Sequence, residues 1–166
     1  PDLDRHALQE EHERNTQLIR FFTPLCKYYA TEVANQVTRR GIQVHGGIGY
    51  MAESTAGHLH SDSIITTIYE GTSEILEMTI ARDRWQQHLK SRGGYYLTAA
   101  QEMNALAARN PNVGAATSAL ALEALAGVFA ACQAGRLTRN QHVLFRLGEM
   151  VANVECAAAL SRRAAA

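Results

Sequence analysis

This chain of 166 residues has few cysteines, few prolines and few long apolar runs, and its formal net charge is zero. Its three cysteines, Cys26, Cys132 and Cys156, are odd in number and far apart, which excludes a disulfide framework and a CxxC metal site. We expect them to be buried thiols in a reducing, cytoplasmic compartment. Sixteen Lys and Arg residues balance sixteen Asp and Glu residues. No basic field therefore draws nucleic acid or an anionic membrane surface to this protein.

Only residues 113–134 approach the length and apolarity of a membrane span, and this stretch is rich in alanine. Glu123 in its middle favours a helix packed inside protein over a helix in lipid. The charged residues that follow Pro1 predict that no signal peptide is present. We therefore expect neither a membrane partner nor secretion.

The scarcity of proline permits long helices, because only Pro1, Pro24 and Pro111 lack an amide donor. Apolar residues at helical spacing predict a first helix over 3–22. Thr23-Pro24 is typical of an N-cap followed by the first helical position, which predicts a second helix over 24–45. Gly46-Gly47 then ends that helix.

Helical periodicity fails between Gly46 and Tyr69, although the segment is rich in apolar residues. This combination predicts a structured loop with at most a short helix near 54–60, because a flexible linker would be polar. A third helix is expected to begin at Thr72 or Ser73 and to end before Gly93-Gly94.

The composition changes at Gly93-Gly94: 6 alanines and 22 charged residues precede this point, and 21 alanines and 10 charged residues follow it. The second part predicts three tightly packed helices over 95–109, 113–134 and 140–163. The predicted fold class is therefore all-α. We expect an antiparallel helical bundle over 1–92 and a smaller Ala-rich helical extension over 95–166.

Two stretches carry the strongest signal, and Glu70 follows Gln43 at a separation of 27 positions. They are Gly41-Ile42-Gln43-Val44-His45-Gly46-Gly47-Ile48-Gly49-Tyr50 and Ile68-Tyr69-Glu70-Gly71-Thr72-Ser73-Glu74-Ile75. Together they resemble two signatures in the carboxy-terminal four-helix domain of the acyl-CoA dehydrogenase family, over residues 10–90. The resemblance implies a fragment: the family's amino-terminal helical and middle β domains, which supply much of the flavin and acyl-CoA site, would precede Pro1. The extension is similar in pattern to the helical domain appended to very-long-chain members.

The resemblance implies that Glu70 is a general base, which takes the α-proton of an acyl-CoA thioester while the β-hydride passes to FAD. Tyr69 and Gly71 are the implied substrate contacts, and Gly71 leaves room for a thioester beside the backbone. In the sequence itself, the apolar run 64–69 would desolvate the carboxylate of Glu70, as suits a base that works near neutral pH. The alternative is a carboxylate that only stabilises the start of a helix.

The resemblance also assigns cofactor contacts. It places the adenosine diphosphate part of an FAD bound to a neighbouring subunit against Gln43, Val44, His45, Gly46 and Gly47. Thr72 and Glu74 would reach the flavin of their own subunit, unless they only cap the helix and solvate its first turn. A helix rather than a strand precedes the glycines, so we assign no Rossmann unit. The implied partners are electron-transfer flavoprotein and further copies of the chain, in a homodimer or homotetramer.

The chain departs from the family at Ser61, where an ion-pairing arginine is usual. His58 and His60 have no third ligand nearby in sequence, so no metal is expected. Tyr28, Tyr29 and Trp85 are interpreted as core residues. Two alternatives stay open for the whole chain: a helical scaffold or oligomerisation module without chemistry, and an oxidase-like flavoenzyme that passes electrons to oxygen.

Overall fold

A computed structural model describes residues 5–166, and all of their regular structure is helical, which confirms the all-α prediction. The helices are α1 (Arg5–His45), α2 (Gly47–Tyr50), α3 (Thr55–Ile65), α4 (Ser73–Lys90), α5 (Gly94–Arg109), α6 (Ala115–Ala134) and α7 (Gln141–Ala165), with a short 3-10 helix at Leu137–Arg139. The chain divides into two compact units that meet between Leu76 and Glu77, inside α4. The change in composition at Gly93-Gly94 instead coincides with the turn from α4 to α5.

Helix α1 runs without a break through Pro24, so the prediction of two separate helices was wrong. An interior proline removes one backbone hydrogen bond and crowds the preceding turn, at a cost of about 3 kcal/mol. Leu25 and Tyr28, in the turn that follows, are buried, and their packing offsets that cost. The helix ends at His45 as predicted, where Gly46 adopts a φ of 61°.

Helix α3 is longer than expected, since it continues to Ile65. Side-chain hydrogen bonds attach it to α1. Asn35 donates to the carbonyl of Ser63 (3.0 Å), and Thr38 Oγ1 lies 3.0 Å from Nδ1 of His60. These tertiary contacts override the strand preference of the β-branched residues at its end.

The unit that contains α1–α3 buries few side chains. Leu25, Tyr28 and Leu76 are its buried apolar residues within the described part, and Tyr29 is only half-buried. Many large apolar side chains on α1–α3 and the following turn are exposed: Leu8, Leu18, Ile19, Phe22, Val37, Val44, Ile48, Tyr50, Met51, Leu59, Ile64, Ile65, Ile68 and Tyr69. An apolar surface of this extent is typical of a region that other protein covers.

The unit that begins at Glu77 has a conventional core. Phe129 of α6 is fully buried and packs against the rings of Trp85, His88 and Tyr96. Arg84, also fully buried, donates Nε and Nη2 to the two carboxylate oxygens of Glu155 on α7. Helices α4 to α7 begin and end within two residues of their predicted bounds.

Helix α6 is the one described helix that has the length and composition needed to cross a membrane. Residues on it are buried at helical spacing, among them Ala115, Ala119, Leu122, Ala126 and Phe129. This burial is also typical of the core helix of a helical protein.

The expectation of three buried thiols was wrong in part. Only Cys132 is buried, while Cys26 is exposed and Cys156 is partly exposed. Burial raises the pKa of the Cys132 thiol. Cys26 lies on the open side of α1, because only one side of that helix is covered.

Candidate functional site

Glu70 lies on a tight turn between α3 and α4, residues 67–73, called the Glu70 turn below. The amide of Ser73 donates to the carbonyl of Thr67 (3.1 Å) and closes the turn. Glu70 and Gly71 both have positive φ angles, 56° and 98°. The second suits glycine, whereas a left-handed glutamate costs about 1–3 kcal/mol. Such strain is common at functional sites, although Arg92 and Arg136 also have positive φ angles, so it supports a functional role for Glu70 without singling it out.

Two side chains of α1 contact the Glu70 turn on either side of Glu70. The ammonium of Lys27 donates to the carbonyl of Gly71 (2.7 Å) and lies 5.8 Å from the ring centroid of Tyr69. The hydroxyl of Ser73 donates to the Glu32 carboxylate (2.5 Å). Sequence reasoning missed Lys27 and Glu32, because 44 and 41 residues separate them from these partners and no local pattern marks them.

The side chain of Glu70 is exposed, and its carboxylate makes no hydrogen bond or ion pair with any residue in the range 5–166. The apolar run 64–69 does not desolvate it, contrary to expectation. Ile64, Ile65 and Ile68 are themselves about half exposed, because the end of α3 and the turn lie on the open face of the unit. The carboxylate is therefore a free acceptor, and any cover over it comes from outside the described residues.

Thr72 and Glu74 have the structural roles that were left open for them. The hydroxyl of Thr72 accepts from the amide of Ile75 (3.5 Å) at the start of α4. Glu74 is exposed in the first turn of that helix, where a carboxylate interacts favourably with the unpaired amides. Both lie within four residues of Glu70, and Glu74 remains accessible to a ligand.

Gln43, Val44 and His45 end α1, Gly46 and Gly47 follow it, and all five residues are exposed. The structure explains two of the three glycines at positions 46, 47 and 49. Gly46 has a φ of 61°, and a Cβ on Gly49 would lie 2.7 Å from the carbonyl oxygen of Ile42. A Cβ on Gly47 would meet nothing within 4 Å. Nothing among residues 5–166 requires glycine at 47, so its backbone is open to close approach by another molecule.

The Glu70 turn and the Gln43–Gly47 segment lie beside different parts of α1. Lys27 of α1 donates to the carbonyl of Gly71 in the Glu70 turn, and Gln43 lies 16 residues after Lys27 on the same helix. At about 1.5 Å per residue, this spacing corresponds to roughly 24 Å along the axis. One chain therefore does not bring Glu70 and the Gln43–Gly47 segment into one pocket.

His58 and His60 lie in α3, and each has a hydrogen-bond partner. Nε2 of His58 lies 3.0 Å from the carbonyl of Ala52, and His60 pairs with Thr38. Over residues 5–166 there is no group of three or more His, Cys, Asp and Glu side chains that could hold a metal ion.

Residues 5–84 match the family described as "Acyl-CoA dehydrogenase, C-terminal domain". This segment belongs to the acyl-CoA dehydrogenase family. The match includes both motifs and the whole Glu70 turn, while residues 85–166 lie outside it. No solved structure matches the chain significantly.

Curated relatives agree with this family. The chain is 48% identical over 59 residues to acryloyl-CoA reductase (NADH) of Anaerotignum propionicum, covering 36% of this chain and 15% of the relative. It is 46% identical over 57 residues to the mitochondrial short-chain specific acyl-CoA dehydrogenase of Sus scrofa (34% and 14%). It is 39% identical over 57 residues to the caffeyl-CoA reductase-Etf complex subunit CarC of Acetobacterium woodii (34% and 15%). The matched segments thus span about one seventh of each relative.

Proposed function

We propose that the chain is part of an FAD-dependent acyl-CoA dehydrogenase that removes hydrogen from the α and β carbons of an acyl-CoA thioester. Glu70 is the general base that takes the α-proton. The observation that carries the proposal is an uncommitted carboxylate on a strained turn whose backbone is fixed on both sides. A base needs this combination, because its backbone position must be defined while its oxygens stay free to accept a proton. Tyr69 and Gly71 flank the acyl group in this proposal.

The residues assigned to FAD fit an extended ligand with phosphate groups. Gly46 and Gly47 offer an open backbone at the end of α1, and the exposed Gln43 amide offers both a donor and an acceptor. Thr72 and Glu74 lie beside Glu70 for contact with the ring end of the cofactor. When bound, FAD supplies the acceptor for the β-hydride.

The separation along α1 has a consequence for assembly. Glu70 and the Gln43–Gly47 segment serve different FAD molecules, so each site takes residues from two copies of the chain. A homodimer or homotetramer is therefore part of the proposal. The exposed apolar side chains Val44, Ile48 and Tyr50, which adjoin the Gln43–Gly47 segment, are suited to such an interface.

A second candidate is the same chemistry in the opposite direction. Relatives named as reductases stand beside relatives named as dehydrogenases. In a reductase of an α,β-unsaturated acyl-CoA, the carboxyl group of Glu70 donates its proton to the α carbon. The relative named as part of an Etf complex supports electron-transfer flavoprotein as the electron partner in either direction. A cytoplasmic location, consistent with an odd number of widely spaced cysteines, belongs to the same proposal.

The test uses the full-length protein that contains this chain, purified with its cofactor. Flavin absorbance that an acyl-CoA bleaches without oxygen, with transfer to a dye, is the expected result for a dehydrogenase. Rapid oxidation of a reduced dye by an enoyl-CoA favours the reductase, and rapid reoxidation by oxygen alone favours the oxidase. A purified protein that contains no flavin, and whose absorbance changes with neither acyl-CoA nor enoyl-CoA, would contradict the proposal. That result would favour the scaffold.

A further inference from the structure

We propose that Lys27 and Glu32 are positioning residues that hold the Glu70 turn in its reactive conformation. The inference rests on the proposed function, because it assigns these residues a role through Glu70 and not in direct contact with the substrate. Both project from α1, about one turn and a half apart, toward contact partners in the Glu70 turn that lie 44 and 41 residues later in the chain.

The contacts bracket Glu70 without touching it. Lys27 contacts the residue before Glu70 through the Tyr69 ring and the residue after it through the Gly71 carbonyl. Glu32 then fixes Ser73, whose amide closes the turn. The backbone of Glu70 is thus held from both sides, while its carboxylate stays free.

The Lys27 contact joins a charged donor to a neutral backbone acceptor. Lys27 is one of only two lysines in the chain. Its half-buried ammonium donates to a neutral backbone carbonyl and forms no ion pair with a carboxylate in the described part of the chain. A charged donor at 2.7 Å forms a stronger hydrogen bond than a neutral one. It therefore fixes the orientation of the peptide unit next to Glu70 more firmly than a neutral side chain would.

Loss of this contact frees Gly71, which as a glycine populates positive and negative φ about equally. A change in φ at Gly71 swings the adjoining Glu70 carboxylate away from its position. Displacement of a reacting group by about 1 Å can lower a rate by about 10²-fold. The rate of proton transfer is therefore expected to fall while the substrate still binds.

The first test measures flavin bleaching by saturating acyl-CoA in the full-length holoenzyme without oxygen. Lys27→Met keeps the length of the side chain and removes the donor, so the limiting rate should fall by about 10- to 100-fold, with an unchanged Kd for acyl-CoA. Lys27→Arg restores a charged donor and should recover most of the rate. Lys90→Met, at the exposed end of α4, is the matched control and should behave as the unaltered enzyme.

The second test does not depend on activity. Hydrogen–deuterium exchange of peptides that cover residues 66–75, measured on the same full-length proteins, reports opening of the bond from the Ser73 amide to Thr67. Exchange should be faster in Lys27→Met than in Lys27→Arg or Lys90→Met. Glu32→Leu should speed exchange in the same way, whereas Glu32→Gln, which keeps an acceptor for Ser73, and Glu13→Leu on the exposed part of α1 should not.

The outcomes separate the two proposals. If no acyl-CoA or enoyl-CoA changes the flavin of the unaltered enzyme, the proposed function fails, and exchange alone judges whether Lys27 and Glu32 hold the turn. If the unaltered enzyme is reduced and Lys27→Met is reduced equally fast, the positioning role is overturned. Exchange that is equal in Lys27→Met and Lys90→Met would overturn it as well. Should Lys27→Met fail to fold, the Glu32→Leu and Glu32→Gln pair decides by the same two measurements.

Discussion

Replacing Glu70 by glutamine in the full-length enzyme removes the proton acceptor and keeps the size and polarity of the side chain. The carboxylate of Glu70 makes no hydrogen bond or ion pair within residues 5–166, so the substitution should change the free energy of unfolding by less than about 0.5 kcal/mol. Loss of a general base lowers a rate by about 10²- to 10⁴-fold. That loss corresponds to about 2.7–5.4 kcal/mol in the activation barrier, at about 1.36 kcal/mol for each factor of ten.

Anaerobic stopped-flow measurement of flavin bleaching isolates this step. Flavin content and acyl-CoA binding should persist in Glu70→Gln, while the limiting rate of reduction falls by the factor above. Glu74→Gln is the matched control, since Glu74 is an exposed carboxylate four residues away in the first turn of α4. Its loss should change the rate far less, because its proposed contact with the cofactor is positional and involves no proton transfer.

A near-normal rate of flavin reduction in Glu70→Gln would refute the assignment. The base would then lie elsewhere, and Glu70 would be a carboxylate that only stabilises the start of α4. An equal loss in both variants would also contradict it, because the defect would then follow from charge near the cofactor and not from the loss of one acceptor.

Three further outcomes are expected. The isolated 166-residue chain should bind FAD weakly, because its two groups of cofactor residues lie on the order of 20 Å apart; isothermal titration that gives a micromolar or tighter Kd would contradict this. Glu155→Ala should destabilise the chain by about 3–5 kcal/mol, because the buried Arg84 loses the carboxylate that accepts from its Nε and Nη2; an unchanged urea midpoint would argue against it. Burial, and secondarily Glu155, raise the pKa of Tyr96 far above its model-compound value of 10.0, so the folded state keeps a proton that the unfolded state loses at high pH. Stability should therefore hold below about pH 10 and fall as the pH rises further; urea titrations should show this slope in the unaltered chain and a shallower one in Tyr96→Phe.

Much of the helical framework follows from the sequence alone. Glycines predict the end of α1 and the turn between α4 and α5, and Gly46 and Gly93 have positive φ angles there. Alanine-rich stretches predict α5, α6 and α7 within two residues. These features are local, since a left-handed glycine or a high helix propensity acts within a few residues.

The two motifs of the candidate site can likewise be identified in the sequence, whereas the packing and burial around them cannot. Thr23-Pro24 is compatible with either a helix start or an interior proline, and only the packing of Leu25 and Tyr28 decides for a continuous α1. The apolar run before Glu70 suggested a desolvated carboxylate, but burial depends on which elements cover that face, and none of the described residues does.

The sequence by itself therefore determined the fold class, the ends of most helices and the position of Glu70 between its flanking motifs. Only the tertiary structure decided that Glu70 adopts a left-handed conformation and that Lys27 and Glu32 hold its turn. The physical reason is the range of the interactions. Helix propensity and glycine conformation are properties of neighbouring residues, whereas a hydrogen bond across more than 40 residues exists only once α1 and the turn have packed together.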